Sequence, residues 1–216
     1  MEYYAEARAA ASARTDCAVV GVHEGGELSA AATALDRALG GRLQRVLRGG
    51  DFAGRLGDTL LLPDLGGRTS RVLLVGLGAR RSWGRRPYRR AALAAAQALV
   101  KSGARDALYW LTADDVPGVD AYYRARFVAE TLGSALYRVP DLKTGRKPPA
   151  SRLARVGVRA ADRSDASAAT KGLEHGRAIA AGAAVTRDLA NLPANVCTPT
   201  YLANYAKRLA REHASI

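Results

Sequence analysis

Six arginines fall within the twelve residues ARRSWGRRPYRR, interleaved with Trp83 and Tyr88. Guanidinium groups hold phosphates and aromatic rings stack on bases. Arg80, Arg81, Arg85, Arg86, Arg89 and Arg90 are therefore candidate nucleic-acid contacts. Cations at the start of a helix also oppose its macrodipole, which would suit an anionic partner. No recognised binding motif surrounds the patch, and a solvated, arginine-biased loop is the alternative reading.

Other chemical signatures are incomplete. VGLGARRS follows an apolar run and supplies Gly76 and Gly78, but Arg81 stands where a dinucleotide fingerprint needs its third glycine. A turn at a strand end explains the two glycines. No phosphate-cradling GxxxxGK[ST] loop occurs. His23, His175 and His213 have no ligand spacing among them, so this chain alone is not expected to build a zinc site. There is no GxSxG elbow. Cys17 sits in an apolar run and reads as a small buried hydrophobe; Cys197 reads as a half-buried turn residue.

The totals bound the class. A chain of 216 residues allows one large domain, or one domain and part of another. No apolar run approaches the ~20 residues of a membrane span, and the N-terminus has no apolar core like that of a secretory signal. Two cysteines far apart indicate no disulfide framework, so a cytoplasmic location is the default. Net charge is +13, which raises nucleic acid as a partner. Five of the 33 basic residues are lysine, leaving 28 arginines, and alanine is abundant as well. A GC-rich genome gives that combination without selection for binding.

The elements that must carry these residues alternate in type. Cys17–Val22 reads as a strand. A helix follows, with Ser29 as N-cap and Gly40-Gly41 as its stop. Strands at 57–64 and 70–78 flank the turn PDLGG and can pair antiparallel. A helix with Pro87 in its first turn runs to Gly103, and DALYWL (106–111) is the next strand. The helix in 118–139 aligns Phe127, Val128, Thr131, Leu132, Ala135 and Leu136 on one face. DLKTGRKPPAS is a loop and RLARVGVRA a strand. A long alanine-rich helix spans 164–190. Gly172, Gly176 and Gly182 each cost it about 1 kcal/mol, which packing on a neighbour must offset. Pro193 ends it. Thr198 and Pro199 open a last helix, with Leu202, Tyr205, Ala206, Leu209 and Ala210 in one stripe. The alternation favours an α/β fold with a mostly parallel sheet and helices on its faces.

The junction between the last two helices, TRDLANLPANVCTPTYLANYAKRLA, resembles the leucyl aminopeptidase (cytosol aminopeptidase) family. In that family the catalytic domain begins with R-D-L-x-N-x-P-x-N-x-x-x-P-x-x-L-A. Those positions are Arg187, Asp188, Leu189, Asn191, Pro193, Asn195, Pro199, Leu202 and Ala203. RVLLVGLG and ALYRVPDLKTGRK are similar to segments of the family's N-terminal domain. The resemblance implies a macro-domain-like mixed sheet with helices on both faces over residues 1–163. It implies a linking helix over 164–190 and the start of a catalytic domain, read as truncated, over 191–216. In the intact family that domain uses two divalent metals, manganese or zinc, to cleave N-terminal residues from peptides, and the enzyme forms hexamers. The NTDAEGR and DTGG motifs that supply its ligands do not occur here, so no residue inherits a catalytic or metal-binding role. The chain alone is expected to be inactive. Because some members double as DNA-binding proteins, a basic nucleic-acid-binding module remains the alternative. A small anionic nucleotide is a third possibility.

Overall fold

The computed structural model describes residues 1–7, 14–63, 69–139 and 150–213. The turn expected in PDLGG lies almost wholly outside these residues, as does most of the loop expected at 141–151.

Among the described residues seven strands form one sheet: β1 (Glu2–Glu6), β2 (Thr15–His23), β3 (Glu27–Leu28), β4 (Thr59–Pro63), β5 (Thr69–Gly78), β6 (Asp106–Tyr109) and β7 (Arg155–Arg159). Their order is β1-β7-β6-β2-β5-β4, with β3 hairpinned onto β2. The β1–β7, β7–β6, β6–β2 and β2–β5 pairs are parallel; β4 runs antiparallel on the edge of β5. Burial follows from this placement. Central β2 and β5 are buried on both faces and read as continuous apolar runs, whereas edge strand β4 alternates exposed and half-buried positions.

The two faces carry different helices. On one side Cys17, Val19, Leu73, Val75, Ala107, Val156 and Val158 pack against α3 (Arg85–Lys101), α4 (Ala121–Leu136) and the first half of α5 (Arg163–Asn191). On the other, Ala18, Val20, Val22, Val72, Leu74 and Leu108 meet α1 (Ala30–Ala38) and α2 (Arg42–Arg48). Alternation along each strand assigns every second side chain to one core. Ser29 caps α1 by accepting from the Ala32 N–H, as its sequence position suggests. Asp36, buried in α1, accepts the Leu43 N–H at 2.7 Å and so caps α2 from its neighbour.

Three elements were not legible beforehand. β1 carries the sequence EYYAE, a mixture of charge and aromatics at a sheet edge whose residues after Glu2 stay half-buried. β3 has only two residues. α2 has seven, with only Leu43 and Leu47 buried, too short to show a period. One strand is also shorter than expected. β6 stops at Tyr109, and Trp110–Ala113 turn into a 3-10 segment that buries Trp110 and Leu111 on the core.

The long helix α5 begins at Asp162, which caps it, and α6 (Pro199–Glu212) opens on Thr198 with proline in the first position. Packing offsets two of the three glycines of α5. A Cβ on Gly172 would sit 2.3 Å from the Tyr122 carbonyl oxygen, and one on Gly176 would sit 2.3 Å from that of Arg126. The expected compensation fails at Gly182, which faces open space.

Candidate functional site

The arginine-rich stretch forms the rim above the carboxyl end of β5. Arg80 and Arg81 lie in a 3-10 turn, and the remaining four occupy the first two turns of α3. Three of the six are engaged within the molecule. Arg80 forms an ion pair with Glu27. Arg85 donates to the Tyr123 hydroxyl at 3.1 Å, with its guanidinium 4.6 Å from the centre of that ring. Arg89 lies 4.7 Å from the centre of Phe127. Tyr123 and Phe127 stack at 6.1 Å with planes 6° apart, and Arg126 sits 5.1 Å from Tyr123. Arginines four residues apart on α3 thus meet aromatics four residues apart on α4, a ladder that seals two helices. Phe127 is read from the sequence only as part of the apolar face of α4, and Tyr123 and Arg126 are not singled out there; the matching spacing was the available signal.

The two aromatics of the patch also face inward. Tyr88 is fully buried and donates its hydroxyl to the Arg124 carbonyl at 2.8 Å. Burial drives its pKa far above the ordinary range. Trp83 donates its indole N–H to the Asp115 carbonyl at 3.0 Å and makes edge contacts with His23 and Tyr88. Arg81, Arg86 and Arg90 have no partner among the described residues.

Behind the rim, at the carboxyl ends of β2, β5 and β6, lies a cavity of about 250 Å³. Its lining includes His23, Ser29, Arg80, Trp83, Asp114 and Asp115. Open α/β sheets bind ligands at such ends, where strand order reverses. Asp114 is buried, and its carboxylate accepts the Ala31 N–H at 2.8 Å. Burial raises its pKa, while the Ala31 hydrogen bond, the nearby Ser29 hydroxyl and the charges of His23 and Arg124 counter that rise. The residue thereby ties the 3-10 segment after β6 to the start of α1.

The junction residues come together at the other end of the helical layer. Tyr137, the residue after α4, is gripped by the last turn and a half of α5. Its hydroxyl donates to Asp188 Oδ1 at 2.9 Å and accepts from Asn191 Nδ2 at 3.2 Å. The Arg187 guanidinium lies 3.7 Å from the ring centre, and Asn191 also donates to the Arg187 carbonyl at 2.7 Å. Pro193 acts differently: its carbonyl accepts the N–H groups of Val196 and Cys197, both at 2.9 Å, and organises the turn. Asn195 lies exposed in that turn and Pro199 opens α6.

Among the described residues no three His, Cys, Asp or Glu side chains gather closely enough to share a metal ion. His175 accompanies Tyr122, whose hydroxyl lies 2.9 Å from Nδ1. No helix among the described residues is long and apolar enough to cross a membrane.

Comparison with known proteins places the whole arrangement. Residues 19–146 match the model for the N-terminal domain of the cytosol aminopeptidase family. Probable cytosol aminopeptidases of Alkalilimnicola ehrlichii and Halorhodospira halophila are 41% identical over 212 residues and 44% over 199. The alignments cover 98% and 92% of this chain, but 43% and 40% of those proteins. A tomato leucine aminopeptidase mutant shares the fold, with TM-score 0.75 at 22% identity over 98% of this chain and 42% of its own. The bottromycin maturation enzyme BotP, solved in complex with Mn, is 30% identical with TM-score 0.65, over 92% of this chain and 36% of its own. The chain spans about two-fifths of the length of the curated relatives it matches. By its sequence match and its α/β fold, it belongs to the cytosol aminopeptidase family.

Proposed function

We propose that this chain is the N-terminal, non-catalytic portion of a leucyl-type metalloaminopeptidase acting in the cytoplasm on peptides, with two divalent metals held elsewhere in the intact enzyme. Residues 1–163 form the N-terminal domain, 164–190 the linking helix and 191–216 the first segment of the catalytic domain. Assembly into a hexamer belongs to the intact enzyme.

One observation carries the reading. α6 is strongly amphipathic, yet none of its residues is buried. Tyr201 and Leu202 are 36% and 44% exposed, and Ile179 on α5 and Val196 in the turn are exposed with them. Apolar side chains left open on both helices fit further protein packed on them. On this reading the portion folds independently and carries the catalytic part.

The test is hydrolysis of leucine p-nitroanilide with added manganese or zinc. The chain alone is expected to release no p-nitroaniline. A fusion after residue 212 to the matching remainder of the Pseudomonas aeruginosa cytosol aminopeptidase, 41% identical over 213 residues of this chain, is expected to turn over. Robust turnover by the chain alone would overturn the proposal.

A further inference from the structure

We infer that Tyr137 is a positioning residue: the clasp of Arg187, Asp188 and Asn191 around its ring and hydroxyl fixes the direction in which α5 leaves the domain. Through the Pro193 turn, it also sets where α6 lies. The geometry stands by itself; only its consequence for a following domain rests on the reading above.

α5 needs such a device. Its buried residues are Ala169, Gly172, Leu173 and Gly176, all in the first half. Beyond Gly176 the helix continues for fifteen residues, roughly 22 Å at the rise of an α-helix, with no buried side chain. Gly182 in that stretch faces open space. Gly133 of α4 approaches Ala180 closely, so the two helices still touch there. Past that point the remaining ties to α4 and its end are the Arg187 guanidinium, 3.5 Å from the Ser134 carbonyl and hydroxyl, and the grip on Tyr137.

Tyr137 meets the far end of this lever. Arg187, Asp188 and Asn191 are spaced so that one helical turn presents all three to one ring. The guanidinium covers the face at 3.7 Å. The hydroxyl both donates, to Asp188, and accepts, from Asn191, so its hydrogen-bonding capacity is filled by α5 alone. Asn191 returns its amide to the Arg187 carbonyl, which locks the clasp to the helix that carries it. A ring with one point of contact would leave α5 free to roll; three points define both distance and rotation.

The direction is then passed on without slack. The Leu192 N–H bonds to Leu189, the N–H groups of Val196 and Cys197 both bond to Pro193, and the Thr198 side chain caps α6 by accepting the Tyr201 N–H at 3.2 Å. The N–H groups of Leu192, Val196, Cys197 and Thr198 are all hydrogen-bonded within the junction, so an angular error at residue 188 is carried to α6. Enzymes are sensitive to such errors, since a displacement of ~1 Å at a reacting centre can cost about a hundredfold in rate.

The experiment is a distance measurement between nitroxide labels on the full chain. The native Cys197 lies in the turn between α5 and α6, and a second thiol is introduced as Gln97→Cys on the exposed side of α3. Cys17 is fully buried and is not labelled. The parent is expected to give one narrow distribution. Tyr137→Ala is expected to broaden and shift it while the melting midpoint stays within about 2 °C, because Tyr137 belongs to neither core. Tyr137→Phe keeps the stack and loses the hydroxyl bonds, so an intermediate width is expected. Asp188→Asn keeps an acceptor and should restore the parent width. Arg187→Ala repeats the test from the α5 side without removing the ring. An unchanged distribution in Tyr137→Ala, a parent distribution that is already broad, or a melting midpoint that falls in step with the width would each overturn the inference. Hydrolysis is not read, so the aminopeptidase reading can fail while this one stands, and the reverse.

Discussion

Cys17 illustrates how one side chain can report on the whole sheet. It lies on central β2, opposite Arg71 of β5 and Ala107 of β6, with no exposed surface. Burial lifts its thiol from 9.0 to about 12; the Asp16 carboxylate adds to the rise, and Arg71 and the Leu73 N–H oppose it. Burial likewise lifts the Tyr3 and Tyr4 phenols from 10.0 to about 12. The sign follows from proton counting. Between the two pKa values the unfolded chain has released the proton and the folded chain has kept it, so folding is opposed as pH rises. The stability these groups confer is complete below pH 9 and is lost progressively up to pH 12. A thiol that stays protonated in the core costs about 1.4 kcal/mol for each pH unit of that window. Urea midpoints measured from pH 8 to 11 are expected to fall, and Cys17→Ala should flatten the fall by one proton's worth. A midpoint independent of pH across the range would show that the thiol ionises in the folded state.

At the scale of elements the contact between α4 and α5 decides most. The three glycines of α5 look alike in the sequence, each a weakness in an alanine-rich helix. Two are sites where the α4 backbone passes within reach of a Cβ, and the third is not. Substitution separates them. Gly172→Ala and Gly176→Ala are expected to destabilise by about 1–3 kcal/mol, because a backbone carbonyl cannot move aside as a side chain can. Gly182→Ala should stabilise by up to about 1 kcal/mol, the helix-propensity gain alone. Denaturant titration checks all three, and stabilisation by Gly176→Ala would mean that the helices are not in backbone contact. The same contrast marks what sequence can and cannot reveal. Alternation, caps and prolines announced most elements, because those signals are local. What lies across a glycine is set by a helix fifty residues away. Tyr137 stayed invisible for that reason, although Arg187, Asp188 and Asn191 had stood out as a motif. The sequence displays the jaws of the clasp as a pattern, but nothing local identifies what they hold.

For the molecule as a whole, the net charge of +13 and the arginine rim raise one question. A polycation binds nucleic acid weakly wherever its charge lies, and such binding weakens steeply with salt. A built interface would concentrate the effect. The rim is divided in this respect: Arg80, Arg85 and Arg89 are spent on Glu27, Tyr123 and Phe127, while Arg81, Arg86 and Arg90 make no ion pair, hydrogen bond or ring contact among the described residues. Two triple variants separate general charge from a dedicated surface. The first is Arg81→Ala, Arg86→Ala and Arg90→Ala together. The second removes the exposed Arg37, Arg45 and Arg48 from α1 and α2, on the opposite face of the sheet. Each lowers the net charge by the same amount. Gel retardation of a short duplex at low salt is expected to weaken equally in both and to vanish for all three proteins at physiological salt. A rim that serves as an interface would instead lose far more in the first variant, with the slope of log affinity against log salt reduced by about 2.7, the loss of three phosphate contacts. That outcome would assign the rim a function separate from the aminopeptidase scaffold, carried by the three arginines that the fold leaves unused.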